Sequence, residues 1–260
     1  MGFLGDGIND SPALKVADVG ISVDTAVDIA KDSADIILLE KDLMALQLGV
    51  IEGRKIFANI GKYIRMGASS NFGNMFSVLG ASVFLPFLPM APIQVLTNNL
   101  LYDFSQTAIP TDNVDEEYVV APKRWDIGNL LKFMLVIGPV SSIFDYATFG
   151  VMLYVFDCWN DAALFQTGWF VESLLTQTLI IHIIRTSKIP FVESRASAAL
   201  IATTLVICCV GIALPYTWAG AALGFTPLPW RYWPIIAGLI LAYAVLTHLA
   251  KVWFIRRWGI

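Results

Sequence analysis

The spacing of apolar and polar positions divides the chain into three regimes. In residues 1–42, short apolar runs alternate with turn signals. Gly2-Phe-Leu-Gly5 reads as the end of a buried strand and Asp6-Gly-Ile-Asn-Asp10 as a loop. Ser11-Pro12 reads as a helix start, with serine at the N-cap and proline at the first helical position. Val19–Val23 predicts a strand, Thr25–Ser33 a helix, and Ile36–Leu39 another strand. Strands alternating with helices predict a parallel sheet. A segment of about 40 residues cannot close a core alone, so it is expected to complete a larger sheet.

Residues 43–63 change period. Leu43, Leu46, Val50, Ile51, Ile56, Ile60 and Tyr63 recur at helical spacing, with Arg54, Lys55 and Lys62 between them. No proline follows until Pro86. This pattern predicts one long helix that begins in water and enters a membrane near Ile64. From there the apolar blocks are long. A spanning helix needs roughly 20 apolar residues, and six candidates follow at about 64–85, 90–109, 128–156, 167–186, 196–215 and 232–253. The third is longer than required and contains Gly138-Pro139, which predicts a tilt or kink.

Composition agrees with the blocks. Of 260 residues, 57% are hydrophobic and only 15% charged, where soluble domains carry about a quarter charged; mean hydropathy is +0.66. Ten of the 21 acidic residues lie in the first 52 positions. With the N-terminus on the cytosolic side, the inside segments hold Lys123, Arg124, Arg185, Lys188, Arg195, Lys251, Arg256 and Arg257, and the outside segments hold only Arg231. That asymmetry follows the positive-inside rule. It predicts a multi-pass protein of the inner (plasma) membrane with both termini cytoplasmic. Met1-Gly-Phe-Leu-Gly-Asp lacks the basic start and long apolar core of a cleavable signal, so the span near residue 64 is expected to insert as a membrane helix. No basic tract points to nucleic acid. Cys158, Cys208 and Cys209 lack the spacing of a zinc site.

Chemistry concentrates first in Gly5-Asp6-Gly7-Ile8-Asn9-Asp10, at the C-terminal end of a strand, where open α/β sheets bind ligands. Glycines on either side let the backbone turn tightly and leave the Asp6 carboxylate exposed. Mg²⁺ prefers one or two carboxylates plus phosphate oxygens and water. Asp6 suits that role, with Asn9 and Asp10 orienting phosphate oxygens. Within the membrane blocks, an ionisable side chain is costly and marks function by default. Asp103 lies deep in the second span, four residues after Asn99 and so on the same helix face. In the first span Asn71 and Asn74 are three apart. One carboxylate among amide oxygens suits a hard divalent cation, and Glu172 in the fourth span is positioned to add a second carboxylate. Asn98 and Asn129 read as interhelical hydrogen-bonding residues. Gly73 and Gly80 read as sites of close helix packing, and Asp145 as a cap for a kink near Gly138-Pro139. His182, near the cytosolic end of its span, reads as a polar residue satisfied by its neighbours or by lipid headgroups.

The run Gly5-Asp-Gly-Ile-Asn-Asp-Ser-Pro-Ala-Leu14, followed by Ala17-Asp-Val-Gly-Ile21, resembles the hinge signature of the P-type ATPase phosphorylation domain, which is of haloacid-dehalogenase type. The resemblance continues through Glu52-Gly-Arg54, Asn59-Ile60, Ser69-Ser-Asn71, Pro92-Ile-Gln-Val-Leu and Asn99-Leu-Leu-Tyr-Asp103, and weakens after about residue 125. It implies that Asp6, with Asp10, holds the catalytic Mg²⁺ used with ATP. It further implies that Asp6, Asn9 and Asp10 are catalytic, and that Asn71, Asn74, Asn99, Tyr102 and Asp103 line a transport site. Position 74 is Asn where calcium pumps carry an acid, which fits one divalent ion. Leu96-Thr-Asn-Asn-Leu-Leu-Tyr-Asp-Phe-Ser-Gln106 and Gly168-Trp-Phe-Val-Glu-Ser-Leu-Leu-Thr-Gln177 resemble the bacterial magnesium-importing (type III) pumps. The six spans would be that family's helices five to ten.

The family's DKTGT motif, its nucleotide and actuator domains and its first four helices have no counterpart in these 260 residues. The expectation is therefore a mainly α chain with a six-helix transmembrane bundle, preceded by a partial α/β segment over 1–42 and a stalk helix over 43–63. It would be the membrane part of a Mg²⁺-importing pump, inactive without its N-terminal partner regions. The rival readings are a pump for Ca²⁺ or another cation, and a non-catalytic membrane module.

Overall fold

The computed structural model describes residues 1–40 and 42–259, which divide into two compact units, Met1–Lys55 and Ile56–Ile260. In the first unit, β1 (Gly2–Leu4), β2 (Val19–Val23) and β3 (Ile36–Leu38) form a parallel sheet in sequence order. Leu4 pairs with Ile21, and Ile21 with Ile36. Helix α1 (Ser11–Val16) joins the first two strands and α2 (Asp28–Ser33) the last two. Leu14, Val23, Ala26 and Ala30 form a small core, with Phe3 and Leu38 packed on it. Ile36 and Ile37 remain exposed on both faces of β3, which leaves an edge strand uncovered. The helix start differs from expectation by one residue. Asp10 takes the N-cap position, after a short 3₁₀ turn at Ile8–Asp10. Ser11 Oγ instead donates to the Ile29 carbonyl at 3.3 Å, joining α1 to α2.

Helix α3 runs unbroken from Leu43 to Phe84. Asp42 Oδ1 accepts the Met44 amide at 2.8 Å, satisfying one of the free donors of its first turn. The second unit then contains α4 (Pro92–Gln106), the short α5 (Glu116–Val120), α6 (Ile127–Gly150), α7 (Ala162–Ile184), α8 (Ala198–Ala213), the short α9 (Trp218–Ala222) and α10 (Tyr232–Trp258). Helix α6 continues through Pro139 and loosens into a π-turn at Val151–Val155.

Among the described residues, four helical stretches are long and apolar enough to cross a membrane: Ile127–Val155, Ala162–Ile184, Ala198–Tyr216 and Tyr232–Trp258. The first two expected spans fall short of that standard for a physical reason. Helix α4 has 15 residues, about 22 Å against a hydrocarbon core of about 30 Å. Asn71, Asn74 and four serines dilute the apolar stretch of α3 between Arg65 and Phe84. The residues that weaken this signal include those nominated for ion binding.

Helix α7 is the centre of the second unit and packs against α4, α6, α8 and α10. Aromatic contacts tie it in: Phe149 to Trp169 at 5.0 Å and Phe170 to Phe225 at 4.4 Å between ring centroids. Its C-terminal end is held by the Lys251 ammonium of α10, which donates to the carbonyls of Ile183, Thr186 and Lys188 at 3.0–3.1 Å. Helix α3 meets α6 at glycines. A Cβ on Gly73 would stand 2.9 Å from the Gly138 carbonyl and 3.2 Å from Ser141 Cβ, and the Gly73 carbonyl itself accepts from Ser142 Oγ at 2.9 Å. Because the obstacle is backbone, it cannot swing aside. Gly73→Leu should therefore lower stability by about 1–3 kcal/mol, the usual range for overpacking, read as a fall in thermal midpoint of the detergent-purified protein.

Candidate functional site

The aspartate loop is built by its own backbone. Asp10 Oδ2 accepts the amides of Asp6 at 3.1 Å and Gly7 at 2.9 Å, so the loop closes on the carboxylate three to four residues ahead. Gly5 is required there, because a Cβ would lie 2.5 Å from Asp10 Cβ. Ser22 Oγ fastens the loop to β2 by donating to the Gly5 carbonyl at 2.9 Å. A cavity of about 490 Å³ opens at the carboxyl ends of all three strands, lined by Leu4, Val23 and Leu38 together with Asp6, Asp10 and Asp42. This is the edge at which parallel sheets bind ligands. Asn9 lies outside that lining. Nowhere among the described residues do three carboxylate, imidazole or thiol groups converge to hold a metal unaided. The donor set fits a Mg²⁺ that takes one or two carboxylates and fills its shell with water and phosphate.

The polar positions of α3 and α4 separate into two sets. Asn71, Asn99 and Asp103 face outward and Asn74 is half-buried; none makes a side-chain hydrogen bond among the described residues. Tyr102 and Asn98 point inward, 3% exposed each. Asn98 receives a hydrogen bond from Gln177 Nε2 at 3.2 Å and donates to the Phe170 carbonyl at 3.3 Å, the interhelical role expected of it. Asp103 also lines a second cavity, of about 360 Å³, with Asn59 and Tyr63 of α3 and Gln106 of α4.

Glu172 is not with this set. It is buried on α7 against Asp145 of α6, both 1% exposed and within hydrogen-bonding reach of each other. Asp145 accepts from Ser77 Oγ of α3 at 2.5 Å and from Trp169 Nε1 at 2.8 Å. It therefore ties α3, α6 and α7 together, and does not cap a kink at Pro139. Sequence reasoning ranked Asp145 low although the signal was present, since it is an acid inside an apolar block. His182 is only half satisfied: Nε2 lies 3.0 Å from Thr204 Oγ1 and the ring stacks on Phe191, while Nδ1 is buried without a hydrogen-bond partner among the described residues.

A further ionic network went unpredicted. Asp112, in the segment after α4, takes Lys62 Nζ at 2.8 Å and Arg185 Nε at 2.7 Å on one oxygen. Its other oxygen accepts the Ser197 amide at 3.0 Å. Burial alone would raise the Asp112 carboxyl, but the bonds from Arg185 and Lys62 outweigh it and hold it below the ordinary range. Lys62 goes the other way. Burial holds its ammonium below the ordinary lysine range despite Asp112, because it shares that carboxylate with a second cation. Asp115 is handled similarly: burial pushes its carboxyl up, and hydrogen bonds from Thr186 and Ser194 bring it below the usual value. Their sequence separations, 50 residues for Lys62–Asp112 and 73 for Asp112–Arg185, put these pairs beyond the reach of local pattern.

Comparison with known proteins places this architecture. The family model described as "Cation transporting ATPase, C-terminus" matches residues 87–253. The chain is 55% identical over 261 aligned residues to the "Magnesium-transporting ATPase, P-type 1" of Salmonella typhimurium, covering all of this chain and 29% of that protein. It is 56% identical to the protein of the same name from Escherichia coli (strain K12), with the same coverage. It is 40% identical over 100 residues to the "Calcium-transporting ATPase" of Bacillus subtilis, covering 38% of this chain and 11% of that protein. The chain thus spans under a third of the length of the magnesium-transporting relatives.

Proposed function

This chain belongs to the cation-transporting P-type ATPases and is a membrane protein, and from that premise we propose that it is the ion-carrying membrane part of a pump that imports Mg²⁺ at the expense of ATP. The observation that carries the reading is the outward face of α3 and α4. Asn71, Asn99 and Asp103 stand on helices embedded in an otherwise apolar bundle, and this chain does not cover them. A carboxylate turned toward hydrocarbon is expensive. Such a face is expected to meet more protein, as it would if the remaining length seen in the relatives supplies further helices, the actuator and the nucleotide domain.

On this reading Asn71, Asn74, Asn99, Tyr102 and Asp103 contribute oxygens to the transported ion, while Glu172, buried against Asp145, supports the helices that carry them. Asp6 and Asp10 hold a Mg²⁺ that screens phosphoryl oxygens during phosphorylation, and Asn9 orients those oxygens. Leu43, the first residue of α3, lines the Asp6 cavity, and Asn71 and Asn74 lie further along the same helix. A shift at the loop would be passed on through this continuous helix, the kind of connection that alternating access requires. The excess of basic residues in one set of loops supports six spans in an inner membrane with both termini cytoplasmic.

The test is ion transport by the full-length protein carrying this segment, reconstituted in liposomes at fixed MgATP. Free Mg²⁺ should be moved in an ATP-dependent manner and Ca²⁺ should not. Transport of Ca²⁺ without Mg²⁺ would move the protein to another branch of the family. No ATP-dependent transport of any cation would favour a non-catalytic module.

A further inference from the structure

The geometry points to Glu172 as an un-ionised acid that donates its proton to the Asp145 carboxylate, so that one shared proton fastens α7 to α6. The first observation is the lack of a counter-charge. Both side chains are buried, 1% exposed, and stand within hydrogen-bonding reach of each other. Among the described residues no lysine, arginine or histidine is near enough to act on either. The other titratable side chains around the pair are Tyr232 and Tyr243 of α10 and Tyr146 of α6, which bring no positive charge. Tyr232 gives its hydroxyl to the Gly168 carbonyl at 2.6 Å. Two like charges in contact inside a dry bundle cannot both persist, and such a pair keeps one proton between its members.

The second observation decides which member keeps it. Asp145 Oδ1 accepts from Trp169 Nε1 at 2.8 Å and Oδ2 from Ser77 Oγ at 2.5 Å. Acceptance at both oxygens is the pattern of an ionised carboxylate, and 2.5 Å is the length of a hydroxyl bond to a charged oxygen. The Gly73 carbonyl, at 3.0 Å, is the more distant acceptor for the same hydroxyl. Glu172 shows the opposite pattern. Its Oε2 is buried with no partner among the described residues. Thr176 stands beside it, but the threonine hydroxyl donates to the backbone carbonyls of Glu172 and Ser173 at 3.0 and 3.1 Å. A bare ionised oxygen is costly to bury. In the un-ionised acid that atom either carries the proton or is a neutral carbonyl oxygen. The proton lies between the two carboxyls and needs no cavity of its own. Asp145 then draws donors from Ser77 of α3 and from Trp169 and Glu172 of α7, and Glu172 presents no anionic oxygen to a cation. The assignment is independent of the pump reading, since it uses only these side chains.

The experiment is infrared spectroscopy of the full-length protein at neutral pH. The parent should show the carbonyl stretch of an un-ionised carboxylic acid, and Glu172→Gln should lose one residue's worth of it. Carbon-13 glutamate should move that band and carbon-13 aspartate should not. Asp145→Asn should keep the band but shift it to higher wavenumber, because an amide oxygen is a weaker acceptor than a carboxylate. An unchanged spectrum in Glu172→Gln would overturn the proposal. So would a band that moves with carbon-13 aspartate and vanishes in Asp145→Asn, which would put the proton on Asp145. The isotope shifts are read in the parent, so the test stays open if either variant fails to fold. Failure of the pump reading looks different: the glutamic acid band and its isotope shift remain, but ATP drives no Mg²⁺ across the membrane.

Discussion

Asp103→Asn, introduced into the full-length protein, should lower ATP-driven Mg²⁺ transport by about two to three and a half orders of magnitude while the amount of protein in the membrane stays normal. The substitution keeps shape and removes charge. On α4 the Asp103 carboxylate is the one anion among Asn71, Asn74 and Asn99, and the neighbouring amides cannot replace its attraction for a dication. Removing one member of a desolvated charge pair costs about 3–5 kcal/mol, and each 1.4 kcal/mol is tenfold in an equilibrium constant. Normal folding is expected because Asp103 is exposed in this chain and makes no side-chain hydrogen bond among the described residues. Transport at the parent rate would remove Asp103 from the ion site. Lost transport with lost protein would indicate a structural role instead.

The second large effect is on stability. Asp112→Ala should destabilise the second unit by about 3–5 kcal/mol, because it strands Lys62 and Arg185 as buried cations without a counter-charge. The side chains of these three residues are 0%, 7% and 2% exposed, so water cannot compensate. Asp112→Asn should fall between the two, since it retains an acceptor without charge. The pH dependence follows from the depressed carboxyl. A carboxylate held below its unfolded value contributes stability in full above the ordinary aspartate range, about 3.9, and loses it as pH falls through the lower folded value. The difference in thermal midpoint between Asp112→Ala and the parent should therefore stay level from about pH 8 to pH 5 and shrink only below about pH 4. A difference that shrinks already near pH 6 would show that another group sets it.

Much of this molecule was legible in its residue pattern because the signals are local. Strand β2 occupies the predicted Val19–Val23. The periodicity from Leu43 onward yields one helix that continues through the predicted membrane boundary. Gly73 and Gly80 stand where α6 approaches α3, with Ser141 and Tyr146 filling the space a side chain would need. What sequence could not show is pairing at a distance. The same rule that singled out Asp103 applied to Asp145, but nothing local indicates that Asp145 lies against Glu172. Spacing along one helix likewise cannot separate Asn98, which turns inward to Gln177, from Asn99, which turns outward. The Ser11 cap failed for a similar reason: its hydroxyl found the Ile29 carbonyl, a tertiary partner, in place of the local amide.

The burial of α7 has a consequence for biogenesis. It is flanked by four helices and nearly nine-tenths of its span is buried, yet Glu172, Ser173, Thr176, Gln177 and His182 give it a polar load that lipid alone would reject. During synthesis it precedes α8 and α10, two of the helices that enclose it. A nascent chain halted before Tyr232 would lack the Lys251 ammonium that takes the carbonyls of Ile183, Thr186 and Lys188 and the Tyr232 hydroxyl that takes that of Gly168. Enclosure of α7 is thus a collective event, completed only once α10 has been made and has latched both of its ends.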